Sequence, residues 1–133
     1  MCMIVNKKKT DEVKARKDKS KKVKVQKYVS IRVSSGKINV KSPHQGTIIE
    51  GGWLKAAYNN PEFRHNGTEL YGGAIHAYRD KQKLSFQYVL QCWAYLEDFI
   101  AWGDIDIAFS KIWVPIEEVE RVIKQYKKDA GIK

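Results

Sequence analysis

The chain has 133 residues, 43% of them hydrophobic and 30% charged, with 25 Lys+Arg against 15 Asp+Glu and a formal net charge of +10. That length suits one domain with a modest core, the composition excludes a disordered polyelectrolyte, and no run approaches the roughly 20 apolar residues of a membrane-spanning helix. The charge is uneven, because residues 1–28 hold eleven Lys/Arg against Asp11, Glu12 and Asp18, whereas residues 29–133 hold fourteen against twelve.

Met1–Val5 is apolar but short for a signal-peptide core, and lysines follow it rather than precede it. The expected setting is therefore a reducing cytosol, and the Asn66-Gly67-Thr68 sequon is not expected to be used. KKKTDEVKARKDKSKK (7–22) has one valine, one alanine and no periodicity. It buries too little to offset its ordering entropy, so residues 1–22 are expected to form a disordered basic arm, and residues 23–133 a single α+β domain. Thr10-Asp11-Glu12 resembles a helix start, which leaves folding on an anionic partner open.

Val23, Val25, Val29, Ile31 and Val33 alternate with polar residues, with Lys27 the one break on the apolar side, and predict a long half-buried strand. Ser34-Ser35-Gly36-Lys37 is a turn, and Ile38 and Val40 resume the alternation as a hairpin. Thr47–Ile49 is a short extended piece, 53–57 is ambiguous between strand and helical turn, and 59–69 is a polar surface loop. Ala74–Tyr78 is a strand. Asp80 to Trp93 is expected to be a helix, with Leu84, Tyr88, Gln91 and Cys92 on one face. Phe99 to Phe109 alternates again, and Lys111–Val114 is a last short strand. Pro115, the acidic Glu117, Glu118 and Glu120, and the stripe Ile116, Val119, Val122, Ile123 and Tyr126 mark a final helix. The expected fold is α+β, a mostly antiparallel sheet with two helices packed on one face, preceded by the basic arm.

The arm supplies the first candidate site. Lys7, Lys8, Lys9, Lys14, Arg16, Lys17, Lys19, Lys21, Lys22 and Lys24 would neutralise phosphates in a salt-sensitive, sequence-independent way. Ten lysines to one arginine in residues 1–28 favours phosphate contact over base reading; the bland alternative is a solvated tail. Among the tryptophans, Trp93 and Trp113 are expected in the core. Trp53 and Trp102, with Gly72, Gly73 and His76, outline a possible cleft. In an enzymatic alternative His76, Tyr78 and Glu50 would converge there. No serine or cysteine nucleophile lies at a recognisable spacing, and a hydrogen-bonded strand histidine is the plainer reading of His76.

Asp104 and Asp106, two apart on a strand, have the spacing for Mg²⁺ but lack a third ligand in sequence, so no metal and no cofactor is expected. Cys2 and Cys92 form no metal or redox motif. The opening Met1-Cys2-Met3-Ile4-Val5 is similar to the start of glutamine amidotransferases, whose Cys-Gly-Ile it lacks.

MCMIVNKKK, KYVSIRV, SPHQGTIIEGG, GGAIHAY and FSKIWVP together resemble a loose family of small phage and mobile-element accessory proteins. The resemblance brings no catalytic residues. It implies a small binder inside a bacterial host cell that interferes with host processes, including nucleic-acid-based defence, and the strong positive charge separates this chain from acidic DNA mimics. The expectation is a non-enzymatic binding module whose partner is nucleic acid, an acidic host protein or a ribonucleoprotein complex, with no membrane partner. A small enzyme or nucleotide-binding pocket around His76 is the alternative. A structural phage component is the third reading.

Overall fold

The computed structural model describes residues 2–42, 47–56, 61–79 and 88–132. In chain order they form β1 (Cys2–Ile4), α1 (Lys7–Lys14), β2 (Lys22–Ser34), β3 (Lys37–Lys41), β4 (Gly52–Lys55), β5 (Glu62–Arg64) and β6 (Glu69–Tyr71). There follow β7 (Ile75–Tyr78), β8 (Tyr88–Tyr95), a 3-10 turn over Leu96–Asp98, β9 (Phe99–Trp102), β10 (Asp106–Phe109), β11 (Lys111–Val114) and α2 (Ile116–Asp129). The chain is a sheet-rich α+β fold. The main sheet has eight strands in the order β4-β11-β8-β2-β7-β10-β9, with β3 on β2, and the small sheet runs β1-β6-β5. Pairing among the described strands is antiparallel.

Alternation along β2 sets the two faces. Val25 and Val29 are buried against Leu90, Cys92 and Ala94 of β8, Ile75 and Ala77 of β7, and Val119 and Val122 of α2, all in the large core. Burying each of the larger of these side chains contributes about 1.5–3 kcal/mol. At the far end of β2, Ser34 pairs with Lys37 across the two-residue loop Ser35-Gly36, whose φ values of 52° and 78° are those of a hairpin turn with both central residues left-handed.

The opposite face is covered over half its width. Ala101 of β9, Ala108 of β10 and the nearby Ala74 meet Met3, Val5 and Leu70 in a second apolar cluster, so the small sheet roofs the β7-β10-β9 end. Small residues allow this approach: a Cβ at Gly103 would stand 2.8 Å from Met3 Cε.

Three expectations are corrected. Tyr88–Tyr95 is a strand, not the end of a helix, and residues 80–87 lie outside the described residues. Leu90, Cys92 and Ala94 are buried while Gln91, Trp93 and Tyr95 are half-buried, a period of two in a stretch rich in aromatic and β-branched residues; the apparent helical face rested on a chance i, i+3, i+4 coincidence. Residues 59–69 include β5 and the start of β6. The N-terminal segment, expected to be disordered, forms β1 and α1.

The reason is an edge that needs closing. Asn6 N donates to Trp102 O at 2.8 Å and Trp102 N donates to Thr10 Oγ1 at 3.0 Å, so α1 caps the outer edge of β9. Asn6 caps the helix by accepting from Lys9 N. Thr10 and Val13, three apart, are its buried side chains. Residues 16–21 are tied as well, through the Arg16–Asp18 ion pair and through Lys19 O and Lys21 O, which accept from Glu97 N and Leu96 N. Among the described residues no helix is long and apolar enough to cross a membrane.

Deleting residues 1–22 therefore uncaps β9 and exposes the small core, and is expected to lower the thermal midpoint sharply rather than leave a stable 23–133 domain. Thr10→Val, which leaves the Trp102 amide without its acceptor, should cost about 1–3 kcal/mol in denaturant unfolding.

Candidate nucleic-acid interface

Beyond the roof of the small sheet, β2, β8, β11 and β4 carry a face with a repeated composition. Trp53 on β4 is opposite Trp113 on β11, Trp113 is opposite Trp93 on β8, and Trp93 is opposite Lys24 on β2. Directly opposed residues point to the same side, so three tryptophans and a lysine make one row across four adjacent strands. A second row flanks it, with Lys55 opposite Lys111 and Tyr95 opposite Lys22. Leu54, Ile112, Cys92 and Val25, at the alternate positions, enter the core and anchor the platform.

The rings are packed but not hidden. Trp53 and Trp113 are each 41% exposed and meet edge to face at 5.2 Å and 78°, and Tyr95 lies 6.3 Å from Trp53. Lys111 Nζ stands 4.3 Å above the Trp53 ring and Lys22 Nζ 4.2 Å above the Trp93 ring. The face thus interleaves Lys22, Lys24, Lys55 and Lys111 with four aromatic rings, and Gln91 and the half-buried Val89 continue the same side of β8. Two carboxylates sit at its rim. Burial pushes the Asp98 carboxyl above the ordinary range, against the pull of Lys111. The hydrogen bond from Arg121 holds Glu118 below it, helped by Gln91 N and Lys24. Glu118 Oε1 accepts from Gln91 N at 2.8 Å, so it serves to dock α2 on β8.

The structure divides the expected basic site. Lys22 and Lys24 belong to the Trp–Lys face. Lys19 and Lys21 lie beside the 3-10 turn that ends β8, and Arg16 is held by Asp18. Lys7, Lys8, Lys9 and Lys14 are on α1, at the other end of the sheet, where Lys9 stands over Trp102 and Lys14 over Phe63. Lys17 is exposed between these groups. Trp93 and Trp113, expected in the core, are on the open face instead, because β8 and β11 alternate Trp out with Cys92, Ala94, Ile112 and Val114 in.

The expected cleft is not assembled as drawn. Glu50 is exposed just before β4, and β11, β8 and β2 separate that strand from His76 and Tyr78 on β7. Trp53 is likewise on β4, and Trp102 on β9 is covered by Lys9 at 5.1 Å and Arg79 at 4.1 Å. Gly72 and Gly73 adopt φ of 50° and 67° in the turn before β7. His76 is half-buried opposite Ala108, at the margin of the small core. Tyr78 packs edge to face on Tyr28 at 4.9 Å, and burial, with Asp106 and Tyr28, raises its hydroxyl above the usual range. Asp104 is exposed, Asp106 pairs with Tyr78 in the β10–β7 ladder, and burial raises its carboxyl. Among the described residues no group of three or more His, Cys, Asp or Glu is placed to hold a metal. Cys2 pairs through its backbone with Tyr71.

Comparison with known proteins finds no matching family model, no matching curated protein and no matching solved structure.

One buried cation lies under this scaffold. Lys27, the break in the β2 alternation, is 5% exposed and its Nζ donates to the His76 carbonyl at 3.0 Å. Burial lowers it from 10.5 to about 8, partly countered by Cys92. Burial raises the Cys92 thiol from 9.0 to about 12, partly countered by Lys27. Between pH 8 and 10.5 the unfolded chain holds the Lys27 proton that the folded chain has lost, so stability rises with pH. Between pH 9 and 12 the folded chain keeps the Cys92 proton that the unfolded chain has lost, so stability falls. The two slopes oppose each other from pH 9. Unfolding free energy is expected to rise by about 1 kcal/mol from pH 8 to 9, flatten, and fall above about 10.5. Denaturant titrations across this range check it, and Lys27→Met should remove the rise.

Proposed function

We propose that this protein is a non-enzymatic binding module that holds nucleic acid on the open face of its sheet. The observation that carries the reading is the Trp53–Trp113–Trp93–Lys24 row with Lys22, Lys55 and Lys111 around it. Fixed ammonium groups neutralise phosphates and release counterions, while aromatic rings offer sequence-tolerant contact with bases. The overall charge of +10 concentrates a polyanion near the molecule. The resemblance to small phage and mobile-element proteins makes host nucleic acid, or a host ribonucleoprotein, the target class under this reading, and the bacterial cell its place of action.

The test uses the full chain, because the N-terminal segment is part of the fold. Fluorescence polarisation against labelled oligonucleotides, titrated with salt, should show log affinity falling with log salt. Four phosphate contacts from Lys22, Lys24, Lys55 and Lys111 correspond to a slope of about −3 on a single strand. Lys24→Glu with Lys55→Glu should weaken binding strongly, whereas Lys8→Glu with Lys17→Glu, away from the face, should weaken it far less. Equal loss from both pairs would return the site to diffuse charge, and absence of binding at low salt would end the nucleic-acid reading.

A further inference from the structure

From the arrangement of rings and ammonium groups we infer that the occupant of the face is a single strand, DNA or RNA, with one base stacked on Trp53 and another on Trp93. This rests on the nucleic-acid reading above and specifies its substrate class. Each of these two rings has an ammonium over its face, Lys111 over Trp53 and Lys22 over Trp93. Trp113 stands between the two strands that carry them and turns its plane 78° from Trp53, which makes it a divider between the two sites. An unpaired base takes the place of each ammonium on the ring, and the displaced Lys111 and Lys22 move to the phosphates on either side. Lys24 and Lys55, at the two ends of the arrangement, extend the phosphate track.

The chemistry of the face selects this occupant over others. A duplex keeps its bases stacked on one another and offers the rings nothing but its backbone. A bilayer surface calls for a broad aliphatic surround to the tryptophans, whereas the described cross-strand neighbours of these three are lysines and each other, with Val89 further along β8. An acidic protein segment would pair with the lysines but would leave two half-open indole rings unused.

Two probes of equal length separate stacking from charge: a 12-nucleotide oligo(dT) or oligo(U), and the same backbone with abasic sites. The full-length protein should bind the base-bearing strand about tenfold or more tighter than the abasic one, and tighter than a 12-base-pair duplex. Its tryptophan fluorescence should be quenched by the base-bearing strand and not by the abasic one. Trp53→Ala should lower affinity for the base-bearing strand about tenfold and change abasic binding far less, and Trp53→Phe, which keeps a ring, should restore most of it. A circular dichroism melt of each variant confirms that the fold is kept. Equal affinity for both strands, with the lysine variants still weakening it, overturns stacking and leaves the phosphate-binding reading intact. Preference for the duplex overturns it in the same way. Binding to phosphatidylserine vesicles with none to either strand overturns both readings.

Discussion

Strand β2 is the constraint on which the rest of the molecule depends. Its thirteen residues pair with β8 from Lys22 to Val29, with β7 at Gln26 and with β3 from Ser30 to Ser34. A strand with partners on both sides is committed to one register, since a slip of one residue would turn Val25 and Val29 out of the core. The ladder to β7 consists of a single paired position, and there Lys27 reaches across to the His76 carbonyl from within the core. A buried ammonium is costly unless hydrogen-bonded. Its place at this junction is explained by the carbonyl it satisfies where strand pairing has run out. The register fixed by β2 also decides that Lys22 and Lys24 point to the open face, in line with the tryptophans of β8 and β11.

The basic N-terminal segment plays a different part from the one its composition suggests. Counted as charges it is a tail; counted as backbone partners it is an edge cover. The β1–β6 ladder, two hydrogen bonds at Trp102, the Lys19 and Lys21 carbonyls and the buried Met3, Val5, Thr10 and Val13 hold it. The same segment leaves its lysines outside, where several extend over aromatic rings. Deletion of a charged segment therefore confounds loss of binding with loss of fold, and point changes on the exposed lysines are the cleaner instrument.

Legibility of the sequence followed the length of the periodic run. The alternation of Val23 to Val33, the Ser-Gly turn and the α2 stripe were strong enough to place β2, the hairpin and the last helix. Over Tyr88–Trp93 the helical reading failed because the apolar spacing there fits both periods, while the β-forming content of YVLQCWAY was the better guide. Arm and edge could not be matched from sequence, because a single threonine hydroxyl and an asparagine amide make the connection. The site itself left a trace that was legible only in hindsight. Trp53-Leu54-Lys55 and Lys111-Ile112-Trp113 run in reverse order, so antiparallel pairing sets Trp opposite Trp and Lys opposite Lys on one face.

Magnitudes decide what can occupy that surface. An exposed ammonium over an indole ring contributes about 0.5–1 kcal/mol, whereas a base stacked on an aromatic side chain contributes about 1–3 kcal/mol. On these magnitudes the proposed exchange of lysine for base would be favourable at each ring, and the freed lysine would recover a charge-assisted contact on phosphate. For a duplex the balance reverses, since unstacking a base costs a few kcal/mol before any ring is reached. Under the single-strand proposal the lysines would act twice: they shield the indole faces in the free protein, and they would become the backbone clamp once bases displaced them. Salt weakens the clamp but hardly touches the stacking, so the advantage of base-bearing over abasic strands should persist as total affinity falls.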